Sequence, residues 1–244
     1  MTIISPDQSR GNLIYWVADN VIADAFPPVE SALRDPDGLL AIGGDLSIPR
    51  LLEAYKLGIF PWYSEGQPIL WWSPNPRCVI ELNNFRISRS LRKKLNSGTY
   101  RVTFNRAFSE VIGKCAEPRS GHDGTWITRE IATVYNRLHD LKYAISVETW
   151  RDEKLCGGLY GVVIGRVFFG ESMFTRESDA SKIAMARLVE VLNQNQFRII
   201  DCQVYSKHLH SLGATPMERG KFVNLLNRYC SENIIYKWPE AAVI

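Results

Sequence analysis

Two short apolar segments of the chain each contain an acidic residue that could take part in chemistry. Glu171 lies within Phe169–Phe174, where large apolar neighbours would raise the pKa of a carboxyl group that finds no cation or donor. Asp201 and Gln203 lie two positions apart in Ile199–Val204, so a strand there would point both side chains to one face. Burying an acid and an amide costs free energy unless they bind something. Both segments are candidate active-site strands; the alternatives are a solvent-facing Glu171 and a polar pair that only holds a neighbouring loop.

A covalent nucleophile, a metal and a phosphate-binding loop find little support. Cys202 lies between the two polar residues, but none of the four histidines has a fixed spacing to it, and an unactivated buried thiol is inert. The five cysteines are odd in number and include no CxxC pair, which favours reduced thiols over disulfides or zinc. GxxxxGK[ST], GxGxxG and the pyrophosphate loop of coenzyme A-dependent acetyltransferases are all missing. The sequence therefore predicts neither a metal nor a cofactor.

A basic segment runs from Asn84 to Arg106 and contains no acidic residue, in a chain whose net charge is only +3. Such a stripe is typical of a surface that binds a phosphate backbone, and exposed tryptophans nearby would stack on unpaired bases. The alternatives are a solvated helix face and tryptophans that only join two domains. The loop at 121–128 presents Trp126, and its His122 is more often neither ligand nor catalyst. The basic residues are Arg86, Arg89, Arg92, Lys93, Lys94, Arg101 and Arg106, and the nearby tryptophans are Trp62, Trp71, Trp72 and Trp126.

The elements that must position these residues fall into two parts. The first third is rich in Pro, Gly and Trp, with one short helix between Ser47, its N-cap, and Gly58, its stop. Pro74 and Pro76 mark a boundary, so we predict a small irregular N-terminal domain over 1–76 and a larger domain over 77–244. The longest apolar stretch is far shorter than a membrane span requires, and the N-terminus has no secretory signal pattern.

The larger domain has regular hydrophobic periodicity. Asn105 and Thr128 are predicted N-caps of two helices, and Ser178 opens a third and longer one. The order αα-βββ-α-β-α predicts an α/β (α+β) fold, a sandwich around a mixed sheet that resembles the GNAT-like acyltransferase core. The predicted strands are 144–150, 155–164, 167–174 and 197–204, and the remaining helices are 206–212 and 222–229.

Several motifs, met in order from about residue 26 to 230, resemble those of the bacterial leucyl/phenylalanyl-tRNA–protein transferases. Any one alone would be unspecific, whereas the ordered set is highly specific. The motifs are GLLAIGGDL at 38–46, GIFPW at 58–62, ILWWSP at 69–74, GTWIT at 124–128, GGLYG at 157–161, FGESMF at 169–174, DCQ at 201–203 and SLGA at 211–214.

The resemblance implies an activity and its partners. Such enzymes move Leu or Phe, and less often Met, from aminoacyl-tRNA to an N-terminal Arg or Lys of a protein, which feeds degradation by the N-end rule pathway. They are cytoplasmic, use no cofactor or metal, do not bind membranes, and pair a small N-terminal domain with a GNAT-like one. We expect a monomer. An ester of tRNA as acyl donor would explain why the coenzyme loop is missing.

The resemblance also implies roles for individual residues. Gln203 would orient the acceptor α-amine with Asp201 behind it as an electrostatic partner, and Glu171 would hold either the donor's ammonium or the acceptor's cationic end. Trp62 and Trp126, with Tyr135 nearby, would lie against the terminal adenosine of the tRNA. The basic residues Arg86, Arg89, Arg92, Lys93 and Lys94 would hold its backbone. The aminoacyl pocket would comprise Leu159, Met173, Met185 and Ile200 with Ser172; Leu159 departs from the methionine of a familiar relative.

Two alternatives from other classes remain at this stage. A peptidoglycan bridge-forming aminoacyltransferase has the same core logic but usually carries two cores, and 244 residues leave room for one. An RNA-binding module would use the basic stripe and the tryptophans but has no need of Glu171, Asp201 and Gln203.

Overall fold

A computed structural model describes residues 2–4, 14–19, 26–118 and 125–232, together with 234, 236, 238–239 and 241–242. Residues 121–124 of the predicted loop, which include His122, lie outside the described residues, as do most of the first 25 positions. Within the described residues, no helix is both long enough and apolar enough to cross a membrane.

The described residues of the N-terminal part of the chain form a five-stranded sheet, one α-helix and a short 3-10 helix at Val29–Ser31. The strand order is β1-β2-β3-β5-β4, and the β2–β3 pair is parallel while the others are antiparallel. Helix α1 begins after Ser47 and ends before Gly58, whose positive φ of 77° suits glycine. The elements are β1 Thr2–Ile4, β2 Ile14–Val17, β3 Leu39–Gly43, α1 Ile48–Lys56, β4 Phe60–Pro61 and β5 Leu70–Trp72.

The rest of the chain forms an eight-stranded mixed sheet in the order β12-β6-β11-β10-β9-β8-β7-β13. The β10–β11 pair is parallel, because a crossover helix separates these strands, and the other pairs are antiparallel. The strands are β6 Arg77–Glu81, β7 Arg101–Phe104, β8 Ala144–Arg151, β9 Lys154–Ile164, β10 Val167–Thr175, β11 Ile199–Asp201, β12 Thr215–Met217 and β13 Ala241–Ala242.

Helices cover both faces of this sheet, which confirms the α/β prediction. Helices α3 and α4 pack on one face, against Tyr160 and Phe169, and α5 packs on the other, against Leu159 and Phe168. The N-terminal turn of α5 approaches the sheet at Gly157, where any added Cβ would lie 2.5 Å from Ala180. The helices are α2 Arg89–Leu95, α3 Phe108–Ala116, α4 Arg129–Asp140, α5 Ala180–Gln194, α6 Lys207–Ser211 and α7 Arg219–Tyr229.

Capping predictions were right at Thr128 and wrong at Asn105. The Thr128 hydroxyl accepts the backbone N–H of Ile131 at 3.2 Å, as an N-cap should. Asn105 instead adopts a positive φ of 59°, and its side-chain oxygen accepts the N–H of Ser146 on β8. Because that bond ties Asn105 to the sheet, α3 begins only at Phe108.

The predicted strand over 197–204 was too long. Strand β11 ends at Asp201, and Gln203 has a positive φ of 54° that no regular strand residue adopts. The Asp201 carboxylate accepts the backbone N–H of Gln203 at 3.0 Å, which turns the chain out of the sheet. The inference that strand alternation aligns Asp201 with Gln203 is therefore wrong, because a local turn sets their relation.

A predicted boundary at Pro76 coincides with the change from one sheet to the other, since β5 ends at Trp72 and β6 begins at Arg77. One buried apolar cluster nevertheless spans both parts, from Leu40 and Trp71 to Tyr135. The division into domains 1–76 and 77–244 stays a prediction.

Candidate active site

Glu171 lies at a β-bulge in the middle of β10. Gly170 pairs with Gly161 and Ser172 pairs with Tyr160, so Glu171 has no partner of its own on β9. In a regular strand, Glu171 and Met173 would share one face. Here Glu171 points toward α4, whereas Met173 packs in the cluster against α5. The bulge thus places the Glu171 carboxylate and the Met173 side chain on opposite faces of the sheet.

Two tyrosine hydroxyls and an amide surround the Glu171 carboxylate. Tyr55 on α1 donates to Oε1 at 2.7 Å, and Tyr135 on α4 donates to Oε2 at 3.0 Å. The Gln203 side-chain Nε2 lies 3.4 Å from Oε1. The two tyrosine hydroxyls also contact each other, and both rings are fully buried. Elements from both parts of the chain therefore build one polar cluster.

Burial raises the pKa of Glu171 from 4.5 to about 7, although the hydrogen bonds from Tyr55 and Tyr135 lower it. The same burial, with the nearby carboxylate, holds the pKa values of both tyrosines well above 10. The hydroxyls therefore stay protonated as donors. The carboxyl group changes between neutral and anionic forms near pH 7, which suits a group that binds an amine or accepts its proton.

Asp201 is fully buried and is paired with Arg77, which sequence reasoning did not single out. Arg77 Nε donates to Asp201 Oδ1 at 2.8 Å and Nη2 donates to Oδ2 at 2.7 Å, a bidentate pair. Both side chains are at most 1% exposed. Because Asp201 is buried, its carboxylate is not exposed to a substrate. Its contact toward Glu171 runs through the backbone N–H of Gln203.

The residues predicted for the aminoacyl pocket come together on the α5 face of the sheet. Leu159 on β9, Ile200 on β11 and Met185 on α5 are buried in one apolar cluster, and Met173 packs at its margin. Ser172 is half-buried and lies opposite Tyr160 in the β9–β10 pair. The pocket assignment stays a prediction, now with four side chains from four elements in one cluster.

The predicted adenosine residues occupy three different environments. Trp62 is 43% exposed and packs its ring against Trp72 at a centroid distance of 5.7 Å. Trp126 is half-buried and lies two residues before Thr128, the N-cap of α4. Tyr135 is fully buried, so its ring offers no free face to a nucleobase, and its position fits better with its hydrogen bond to Glu171. Trp71 is a core anchor whose indole N–H donates to Gly43 O at 2.8 Å.

The predicted backbone-binding residues lie on and beside α2. Arg89, Arg92 and Lys93 are exposed on the helix, and Arg86 is exposed before it. Within the described part of the chain these four form no ion pair. Lys94 differs, because its amine donates to Asp179 at 2.8 Å and to Ser178 O at 2.7 Å. Lys94 is thus the least available of the five to a phosphate.

Sequence reasoning missed Tyr55 and Arg77 and considered Cys202 only weakly. Tyr55 lies on the buried face of α1, where its ring is an ordinary apolar contact and only its hydroxyl, which donates to Glu171, takes part in the site. Arg77 heads the apolar run of β6, and one charge in such a strand was the available signal. Cys202 is buried, and burial raises the pKa of its thiol well above 9, which excludes an activated nucleophile.

Two family models match this chain. The model described as leucyl/phenylalanyl-tRNA protein transferase matches residues 79–227, and the model for the N-terminal domain of the same family matches residues 44–75. A protein of Azoarcus sp. (strain BH72), named leucyl/phenylalanyl-tRNA–protein transferase, is 54% identical over 220 residues, covering 90% of this chain and 92% of the relative. A protein of the same name from Methylococcus capsulatus is 49% identical over 234 residues, covering 96% and 94%.

Solved structures match with lower similarity. L-PGS from Bacillus licheniformis has a TM-score of 0.38 and 11% identity over 80% of this chain and 62% of that chain. A GCN5-related N-acetyltransferase from Kribbella flavida has a TM-score of 0.36 and 10% identity over 68% of this chain and 59% of that chain. These values say nothing about substrates.

Proposed function

The chain belongs to the leucyl/phenylalanyl-tRNA–protein transferase family, and we propose that it moves Leu or Phe, and less often Met, from aminoacyl-tRNA to an N-terminal Arg or Lys. It is an aminoacyltransferase that acts on N-terminal residues of proteins, the activity that feeds the N-end rule pathway. The peptidoglycan and RNA-binding alternatives lose their support, because the relatives carry this activity over nearly the whole length of the chain.

The reaction is aminolysis of an ester. The acceptor's α-amine nitrogen bonds to the ester carbonyl carbon, the bond from that carbon to the ribose oxygen breaks, and the amine's proton ends on a base or on the ribose oxygen. An α-amine has a pKa of about 8, so a useful fraction is already neutral near pH 7. The protein needs only to align the two groups and to stabilise developing charge.

The observation that carries the proposal is the polar cluster around Glu171. A carboxylate offers about four acceptor positions, and Tyr55, Tyr135 and Gln203 occupy three, so one remains for a substrate amine. With its pKa at about 7, Glu171 can hold an ammonium group as an anion or take up the proton that the amine releases.

Gln203 supports the same site from the other side. Its side-chain Nε2 lies beside Glu171, and its side-chain oxygen, which accepts no hydrogen bond among those recorded for the described residues, would accept from the acceptor α-amine. Asp201 fixes the Gln203 backbone through its N–H, and this contact is the physical form of the electrostatic partnership that we propose for the pair.

The donor's side chain would enter the apolar cluster beside α5. Leu159, Met173, Met185 and Ile200 offer only apolar surface there, with Ser172 at the edge. Methionine side chains adapt their shape readily, which suits a pocket that accepts both a branched aliphatic group and an aromatic ring.

The tRNA would be held at two places. Trp62 and Trp126 would contact the terminal adenosine by stacking, and Arg86, Arg89, Arg92 and Lys93 would contact the phosphates with a smaller contribution from Lys94. We further propose a cytoplasmic monomer with an N-terminal domain over 1–76 and a catalytic domain over 77–244.

The test uses radiolabelled Leu-tRNA and two peptides that differ only in their N-terminus, one starting with free Arg and one with acetylated Arg. We expect label on the free peptide alone, because acetylation removes the nucleophilic amine. Label on both peptides, or on neither, would contradict the proposal.

A matched variant separates catalysis from tRNA binding. Glu171→Gln removes the anion but preserves the shape of the side chain, so we expect loss of transfer with tRNA affinity retained. Equal loss of transfer and of tRNA binding would mean that Glu171 belongs to a binding surface and not to the site of chemistry.

A further inference from the structure

Arg77 is the one fully buried cation beside the active-site cluster within the described residues, and no role has been assigned to it. We propose that Arg77 is a positioning residue for the transfer reaction: it holds Asp201 so that Asp201 fixes Gln203 against Glu171. This inference rests on the proposed role of Gln203 in aligning the acceptor amine.

The Arg77 guanidinium is held on all sides. Its planar group lies between the rings of Phe60 and Phe222, at 4.7 and 4.9 Å from their centroids. One edge makes the bidentate pair with Asp201, and Nη1 donates to Gly58 O at 3.1 Å. These contacts leave the guanidinium a single orientation.

The pair with Arg77 determines which direction the Asp201 carboxylate faces. Oδ1 accepts from Arg77 Nε and also from the backbone N–H of Gln203, and Oδ2 accepts from Arg77 Nη2. Gln203 has a φ of 54°, a backbone conformation that a residue other than glycine seldom adopts unless surrounding contacts hold it. The Asp201 bond is such a contact, and the Gln203 amide reaches Glu171 from this conformation.

Arg77 also links this turn to the opposite wall of the site. Gly58 lies three residues after Tyr55, whose hydroxyl donates to Glu171. The Arg77 guanidinium therefore contacts both the Asp201 carboxylate, which holds Gln203, and the backbone that follows Tyr55. A lysine amine at this position would be a point charge without the fixed fork, so it could neutralise Asp201 without fixing its orientation.

The test is a double-mutant cycle between Arg77→Lys and Gln203→Ala, measured in single-turnover transfer from Leu-tRNA to an Arg peptide. Arg77→Lys should lower the transfer rate at least about tenfold, because small misplacements of a reacting group cost that much. The KM for aminoacyl-tRNA should change by less than about twofold, because a side chain 1% exposed does not touch tRNA. In the Gln203→Ala background, Arg77→Lys should have almost no further effect.

Arg50→Lys is the matched control. Arg50 is 5% exposed and pairs at 3.1 Å with Asp45, which is 31% exposed, so the substitution changes a buried arginine of an ion pair that is not among the hydrogen-bond partners of Glu171. We expect an unchanged transfer rate for this control. An equal loss in both variants would assign the Arg77 effect to general destabilisation and overturn the inference.

Other results would also overturn it. A wild-type rate for Arg77→Lys, or the same fold-loss in the Gln203→Ala background as in the wild type, would show that Arg77 does not act through Gln203. If Arg77→Lys does not fold by circular dichroism, the Arg77→Met, Asp201→Leu pair removes both charges without leaving one unpaired. A wild-type rate from that folded pair would refute the inference. A wild-type rate for Gln203→Ala alone would instead refute the proposed role of Gln203.

Discussion

Replacing Tyr135 with Phe should move the pH dependence of transfer to higher pH. The substitution removes one hydroxyl that donates to Glu171 Oε2 at 3.0 Å and leaves the buried ring in place. This hydrogen bond stabilises the anionic carboxylate, so its loss raises the pKa of Glu171 above its value of about 7.

The size of the shift follows from the energy of the bond. A hydrogen bond to a charged group contributes about 1.5–3 kcal/mol, which corresponds to about 1–2 pH units. If the anion is the active form, activity rises with pH through the pKa. At pH 7 the ionised fraction falls from about a half to between about 1% and 10%, so the rate should drop about 5- to 50-fold. Most of that loss should be recovered near pH 9.

The assay is single-turnover transfer from Leu-tRNA between pH 6 and pH 9, expressed as the ratio of variant to wild type. The ratio removes the titration of the acceptor amine, which is common to both enzymes. Tyr100→Phe is the control, because the Tyr100 hydroxyl also donates to a carboxylate at 3.0 Å, that of Glu177. A Tyr135→Phe ratio that stays constant with pH would refute the reasoning.

Three further predictions concern stability, tRNA binding and specificity. Glu171→Gln should raise the melting temperature at pH 8 but not at pH 4. The pKa of Glu171 is raised from 4.5 to about 7 on folding, so its ionisation destabilises the folded state by roughly 3 kcal/mol at pH 8 and not at all at pH 4. Equal shifts of the melting temperature at both pH values would contradict this. Arg89→Ala and Lys93→Ala should each weaken tRNA binding and reduce by about 1 the slope of the logarithm of the tRNA association constant against the logarithm of salt concentration. The measurement is a filter-binding titration at several salt concentrations, and an unchanged slope would exclude a phosphate contact at that residue. Leu159→Ala should destabilise the fold by about 2–5 kcal/mol and raise the ratio of Phe transfer to Leu transfer. Val163→Ala, in the same cluster, should destabilise the fold without changing that ratio. The same transfer ratio in both variants would place the pocket elsewhere.

The sequence could predict much of the local structure, because the relevant signals are local. The Thr128 cap and the α1 boundaries both depend on residues within a few positions of each other. The N-cap prediction for Asn105 was wrong for a related reason. Its side chain could hydrogen-bond either the helix that follows it or a distant strand, and packing of the sheet favours the strand.

The same distinction between local signals and long-range contacts applies to the candidate site. The sequence alone determined the α/β class, the family and the three polar residues Glu171, Asp201 and Gln203, since each stands out against its own neighbours. Only the tertiary structure brought Tyr55 to Glu171 across 116 positions and Arg77 to Asp201 across 124. Hydrogen-bond partners so far apart leave no periodic trace in a single chain. Whether a buried acid is paired with a cation or left near neutrality therefore depends on which elements the fold packs together.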